Sequence, residues 1–237
     1  MDTAGYAALS RQVGLRNEIR VVANNIANLA TAGYRQEGIV FSEFVKDTGG
    51  HPSVSMSRGE VRNTSFTQGV LTQTGGRFDF AIEGDGFFLV ETPSGERLTR
   101  AGGFSANAQG DLVNAEGHRV LDPGGAPVFI PPDATSLSVS ADGTISADGQ
   151  LVGQIGVFAP TDRTDLIREG GVMFHAPGGF EPAEGATILH GFSEGSNVNA
   201  VGQMARMVEV QRAYELGQSF LDAEDKRIRE AVKALLR

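Results

Sequence analysis

Cysteine is absent from the 237-residue chain, so disulfides, thiolate catalysis and cysteine–zinc centres are excluded. Histidine is sparse as well. His51, His118, His175 and His190 lie far apart, and no two have the H-x-x-x-H spacing of a helical metal pair. Asp142 and Asp148 stand beside glycines but lack the remaining ligands of a calcium loop, which leaves them as solvated turn carboxylates. Positive charge is short: the net charge is -9, and Lys and Arg form no stripe interleaved with aromatics. A nucleic-acid phosphate backbone would be repelled overall. No apolar run is long enough to insert in a membrane. The first residues, Met1-Asp2-Thr3, are acidic rather than basic and no apolar core follows, unlike a secretory signal peptide. That pattern points to the cytoplasm, while the lack of cysteine suits an oxidising destination equally well.

Helix breakers are scarce at both ends. All nine prolines and most of the 32 glycines fall between Gly49 and Gly195. Residues before about 45 and after about 197 therefore read as helix, and the middle as strands and turns. In the first zone Leu15, Ile19, Val22, Ile26 and Leu29 keep a 4-3-4-3 spacing, one narrow apolar stripe that stops at Gly33. In the last zone Met207, Tyr214, Leu221, Ile228 and Leu235 recur every seven residues, with Met204, Val210 and Val232 between them. Asn199 is the candidate N-cap. A helix from there to Leu236 would be roughly 55 Å long, more than a small domain covers on one side. Two readings stand: ordinary amphipathic helices on a central core, or two helices that pair with each other. The unbroken heptad run favours pairing as a coiled coil.

Between them, apolar runs alternate with turn dipeptides. Phe78 to Ile82 precedes Glu83-Gly84-Asp85-Gly86, a hairpin signal, and Phe87 to Val90 follows. Asp142-Gly143 and Asp148-Gly149 flank Thr144-Ile145-Ser146 and suit type I′ turns. The expected class is mixed α and β: long terminal helices joined by a central, antiparallel, glycine-rich all-β domain. The expected division is a helical segment at 1–45, an extended connector at 46–77, the β domain at 78–192 and a second helical segment at 193–237.

Two catalytic patterns fail on inspection. Gly191-Phe192-Ser193-Glu194-Gly195 matches the G-x-S-x-G elbow, but the last histidine precedes the serine and the helix begins several residues late. Gly84-Asp85-Gly86 starts a dinucleotide fingerprint, yet Leu89 stands where the third glycine belongs and a strand follows.

Asn24-Asn25-Ile26-Ala27-Asn28-Leu29-Ala30-Thr31-Ala32-Gly33-Tyr34 resembles the N-terminal signature of flagellar rod and hook proteins. Glu194 to Val201, followed by Met207-Val208 and Gln211-Arg212-Ala213-Tyr214-Glu215, is similar to that family's C-terminal signature. Phe78 to Phe88 resembles its central motif, with Phe78 and Phe80 where aliphatics are usual. Asparagine is a poor helix former, so three within five residues mean either register-fixing amides at a helix interface or a fraying helix end. The resemblance implies a rod subunit that is not an enzyme and uses no cofactor, metal or small-molecule substrate. Its partners would be other rod subunits and the flagellar type III export apparatus, with a periplasmic destination reached without a cleaved signal. A proximal-rod position is favoured, and the distal-rod paralogue is the alternative. The assembly residues it implies are Asn25, Asn28, Thr31, Gly33, Tyr34, Asn197, Val198, Asn199, Gln211 and Arg212, beside the two stripes. Phe41 and Val45 are similar to a short export element, or are plain packing residues. A runner-up reading is a ligand-binding β domain that dimerises through its helices.

Overall fold

The computed structural model describes residues 3–46 and 54–235. The chain divides into two compact units: Met1–Ala27, Glu37–Ser65 and Asn199–Arg237 form the first, and Asn28–Gln36 with Phe66–Val198 form the second.

The first unit contains α1 (Thr3–Ala27), a hairpin of β1 (Glu37–Lys46) and β2 (Val54–Thr64), and α2 (Ala200–Leu235). The strands pair antiparallel from Glu37 opposite Thr64 to Lys46 opposite Val54, with a bulge between Val40 and Phe41. The expected helix to residue 45 therefore ends early, and the expected connector at 46–77 carries the whole of β2 and a further short strand, Leu71–Gln73. The reason is legible in hindsight: Ile39, Val40, Phe41, Phe44 and Val45 are β-branched or aromatic residues that fit a pleated surface better than a helix. The C-terminal helix matches its expected bounds. Asn199 caps it, its Oδ1 accepting from Gly202 N at 2.9 Å and its carbonyl from Gln203 N.

The second unit is built from short strands. In chain order they begin with β3 (Leu71–Gln73), β4 (Phe80–Glu83), β5 (Phe87–Thr92) and β6 (Gly95–Thr99). Then come β7 (Ser105–Ala106), β8 (Leu112–Val113), β9 (Arg119–Val120), β10 (Leu137–Val139), β11 (Thr144–Ala147) and β12 (Gln150–Gln154). The last are β13 (Val157–Pro160), β14 (Ile167–Glu169), β15 (Met173–His175), β16 (Phe180–Pro182), β17 (Thr187–His190) and β18 (Phe192–Glu194). Every pairing among them is antiparallel. The main sheet runs β14-β15-β6-β5-β9-β8-β7, with β13 bridging β5 to β16.

Strand β5 explains the core. Phe87-Phe88-Leu89-Val90 is a continuous apolar run, and a strand alternates its side chains between two faces. Phe88 and Val90 enter one cluster with Phe80, Ile82, Phe104 and Leu112. Phe87 and Leu89 enter a second with Leu98, Leu121, Phe158 and Phe174. All four are buried because both faces of β5 are covered.

The glycine turns divide. Asp148 and Gly149 both have positive φ, 49° and 80°, as a type I′ turn requires, and they join β11 to β12. At Asp142-Gly143 only the glycine is left-handed (φ 85°), so that loop is of another type. The expected hairpin at Gly84-Asp85-Gly86 is absent. Strand β4 pairs with β17 while β5 pairs with β6, β9 and β13, so these residues turn a corner between sheets.

Asp148 illustrates how an exposed turn is held. Its Oδ1 accepts from Ser136 N at 2.8 Å, Thr135 Oγ1 at 2.8 Å and Ser136 Oγ at 3.0 Å. These bonds, with the Ser136 amide the largest contribution, hold its carboxyl at about 2. A depressed folded pKa stabilises above the unfolded value of about 3.9 and loses that contribution as pH falls through the folded one. Asp148→Asn is therefore expected to flatten the pH dependence of stability between about pH 4 and pH 2, measured by urea unfolding at each pH.

Candidate assembly interface

α1 and α2 run side by side and antiparallel within the first unit. Three polar contacts fix their register from one end to the other. Gln12 Nε2 donates to the Tyr214 carbonyl at 2.9 Å. Arg206 Nε donates to Glu18 Oε1 at 2.6 Å. Asn25 Nδ2 donates to Gln203 Oε1 at 3.1 Å. Asn25, fully buried, also treats Glu37 as a neighbouring strand would: it donates to the Glu37 carbonyl at 2.7 Å and accepts from Glu37 N at 3.0 Å. Of the two sequence readings for the asparagines, register fixing fits Asn25.

The expected stripe residues fall on different surfaces. Leu15 and Val22 are buried, Ile19, Ile26 and Leu29 half-buried, and Val21 joins the buried set. On α2, Val210 is buried and Met207, Tyr214 and Leu221 are half-buried. Met204, Gln211, Arg212, Ile228, Val232 and Leu235 are exposed. The heptad run is thus covered only as far as Leu221 and Glu224. Because the Gln12 contact falls at Tyr214, α2 at 1.5 Å per residue passes the start of α1 before its last turns. Ile228 and Leu235 therefore lack the cover that Met207 and Tyr214 have.

Two furrows flank the pair. The larger, about 560 Å³, is lined by Ala7, Ala8, Arg11, Gln12, Leu15, Ala213, Leu216, Gly217 and Phe220. The other, about 210 Å³, is lined by Leu9, Gln12, Val13, Arg16, Tyr214, Gln218 and Leu221. Val201 (78% exposed), Met204 and Val208 add a further apolar row near the start of α2. Gln12 lines both furrows, and its crossing is made possible by Gly217: a Cβ there would stand 2.1 Å from Gln12 Nε2.

The rest of the N-terminal motif is not helical. Asn28 Oδ1 accepts from Thr31 Oγ1 at 3.1 Å just after α1 ends, and the segment onward belongs to the β unit. Gly33 is left-handed (φ 70°), and a Cβ on it would overlap the backbone of Arg100 and Ala101. Its amide donates to the Glu194 carbonyl at 2.8 Å. Tyr34 is fully buried, with the Arg168 guanidinium 4.5 Å above its ring.

Glu194 is the centre of this region. Its carboxylate accepts from Arg100 Nε at 2.8 Å and Gly69 N at 2.9 Å, and pairs with Arg35 Nη1 at 3.1 Å. All three charged side chains are almost completely buried. Burial pushes the Arg35 guanidinium down to about 10 against the pull of Glu194, and it lowers Arg100 likewise. Arg100 also donates to the carbonyls of Ile82, Gly84 and Gly86, which explains the corner there. Asn197 completes the set: Oδ1 accepts from Gln36 N at 2.6 Å and Nδ2 donates to Thr67 O at 2.7 Å. Val198 is half-buried beside it.

Ser193 occupies a strand position opposite Thr72 rather than an elbow before a helix. His190 stacks on Phe80 with ring centroids 5.4 Å apart. Phe41 and Val45 lie in the part of β1 whose side chains fall outside the described residues. No helix among the described residues is long and apolar enough to cross a membrane.

Two family models match. Residues 81–147 match the flagellar hook protein FlgE/F/G D1 domain, and residues 189–234 match the flagellar basal body rod FlgEFG protein C-terminal region. The chain is 38% identical to the flagellar basal-body rod protein FlgF of Mesorhizobium japonicum, over 99% of this chain and 98% of that one. It is 39% identical to FlgF of Caulobacter vibrioides over the same shares. It is also 32% identical to the rod protein FlgG of Bacillus subtilis, over 96% of this chain and 97% of the relative. The chain belongs to the family of flagellar basal-body rod proteins.

For a rod-family chain, the residues that sequence reasoning missed are polar. Gln12, Glu18, Gln203 and Arg206 tie the helices, and Arg35 with Arg100 flanks Glu194, yet apolar periodicity registers none of them. One signal was available: Gly217 weakens the middle of a helix whose other glycine, Gly202, lies in its first turn, and Gln12 supplies the reason. Gly217→Ala gains about 1 kcal/mol of helix propensity but displaces a buried amide, at a cost of about 1–3 kcal/mol. The single variant is expected to melt earlier by helical circular dichroism, whereas in a Gln12→Ala background the same change is expected to be neutral or stabilising.

Proposed function

We propose that this chain is a structural subunit of the flagellar basal-body rod, one that polymerises through its paired terminal helices and transmits torque without catalysing a reaction. The observation that carries the proposal is a helix pair with register-fixing polar contacts inside and uncovered apolar surface outside. Val201, Met204, Leu216, Phe220, Ile228 and Leu235 remain exposed after α1 and α2 have paired. A heterologous contact that does not close generates a helical array of subunits. Family membership supports the same reading, because its named relatives are rod proteins.

Several finer points belong to this proposal. The seven-residue recurrence of Met207, Tyr214 and Leu221 supports pairing in coiled-coil fashion. The 38% and 39% identities to two FlgF relatives, against 32% to FlgG, support a proximal position, although a third FlgF stands at 32%. The destination is the periplasmic rod, reached through the type III export apparatus without a cleaved signal, with Phe41 and Val45 as the export element. Partners are neighbouring rod subunits. One cavity in the β unit, beside Arg35, Phe66, Asp85, Phe87 and Arg163, encloses about 10 Å³, room for at most about one water.

Ile26→Asp or Leu221→Asp would place a carboxylate against the helix pair, costing several kcal/mol where it is left unpaired. Each is expected to abolish swimming in soft agar while the β unit stays folded; wild-type motility from either would contradict assembly through these helices. Phe41→Ala with Val45→Ala is expected to reduce secretion of the subunit into the medium of a rodless strain. Unchanged secretion would remove the export role and leave the assembly role standing.

A further inference from the structure

The β unit is entered and left by the chain at several points, and three of the flanking segments meet at one cluster. Residues 33–36 lead toward β1, residues 67–69 follow β2, and residues 194–197 lead toward α2. Glu194 ties all three: its carbonyl holds Gly33 N, and its carboxylate holds Gly69 N and pairs with Arg35. Asn197 ties them again through Gln36 N and Thr67 O, and its own amide donates to the Tyr34 carbonyl at 3.3 Å. Arg100, from the end of β6, anchors Glu194 to the sheet at 2.8 Å. None of these bonds requires a neighbouring subunit.

We propose that Glu194 and Asn197 are positioning residues of a collar, complete in the free subunit, that fixes where the chain leaves the β unit toward β1 and α2. The inference goes beyond the rod assignment and does not depend on it. A carboxylate buried with two guanidiniums orients what it touches, since moving any one segment leaves a buried charge without its partner. Asn197 matches a strand edge, one donor and one acceptor in one plane, so it holds two backbone segments at a set spacing. A rod subunit under torque needs this property: the exits toward its helices must not drift apart under load.

The test is amide hydrogen exchange, resolved by NMR, on the full-length chain at monomeric dilution. In the wild type the amides of Gly33, Gln36, Gly69 and Asn197 are expected to be protected. Glu194→Gln is expected to accelerate exchange at Gly33 and Gly69 by about tenfold or more, while Phe88 and Leu89 in β5 keep their rates. Asn197→Ala removes a neutral amide at a half-buried position and tests the collar even where Glu194→Gln does not fold. It is expected to release Gln36 alone by a similar factor. Collar amides unprotected in the wild type would overturn the proposal. So would acceleration spread evenly through the β unit in Asn197→Ala, the mark of a residue that only stabilises the fold.

Discussion

The carboxylate of Glu194 is the constraint on which the β unit is organised. Two guanidiniums, Arg35 and Arg100, are buried on one acceptor group, which leaves the cluster with an excess positive charge. The carbonyls of Ile82, Gly84 and Gly86 absorb it by accepting from Arg100. Removing one partner of such a pair typically costs about 3–5 kcal/mol, because the other charge is left stranded. That is a large share of the 5–15 kcal/mol by which ordinary domains are stable. The cluster draws on residues 35, 69, 100 and 194, so the unit cannot reach its final packing until its last strand is in place. The pairing of β4 with β17 and β3 with β18 repeats the same dependence in backbone hydrogen bonds.

The helix pair follows a related logic with two amides and one ion pair. An apolar stripe alone permits two helices to slide by a turn, because each step of the stripe resembles the next. Gln12, Glu18 and Asn25 remove that freedom, since each has a specific partner on α2 or β1. Buried amides cost stability relative to leucine and gain a unique register. For a subunit repeated along a drive shaft, a single register matters more than a deeper well.

The ends of the chain were more legible than the places where they meet the β unit. Heptad spacing and the lack of proline located α2 almost to the residue, and Asn199 marked its cap. The run Phe87 to Val90 announced a strand, and the structure buries it on both faces. Periodicity failed from Glu37 to Lys46, where Ile39, Val40 and Phe41 outweigh the scarcity of glycines and prolines and make a strand. It failed again at Gly84-Asp85-Gly86, because a corner and a hairpin use the same glycines and only Arg100, distant in sequence, separates them. Arg35 and Glu18 carry no local signal for the same reason: their partners lie more than 150 residues away. Sequence motifs marked Glu194, Asn197 and Asn25 without revealing what each one holds.

Quantitative mass spectrometry of hook–basal bodies purified from the source bacterium tests the central claim most directly. The rod assignment requires this chain to co-purify at a few copies per particle, well below the hook subunit. Its absence from the particles, with the protein recovered instead as a soluble dimer, would contradict the assignment.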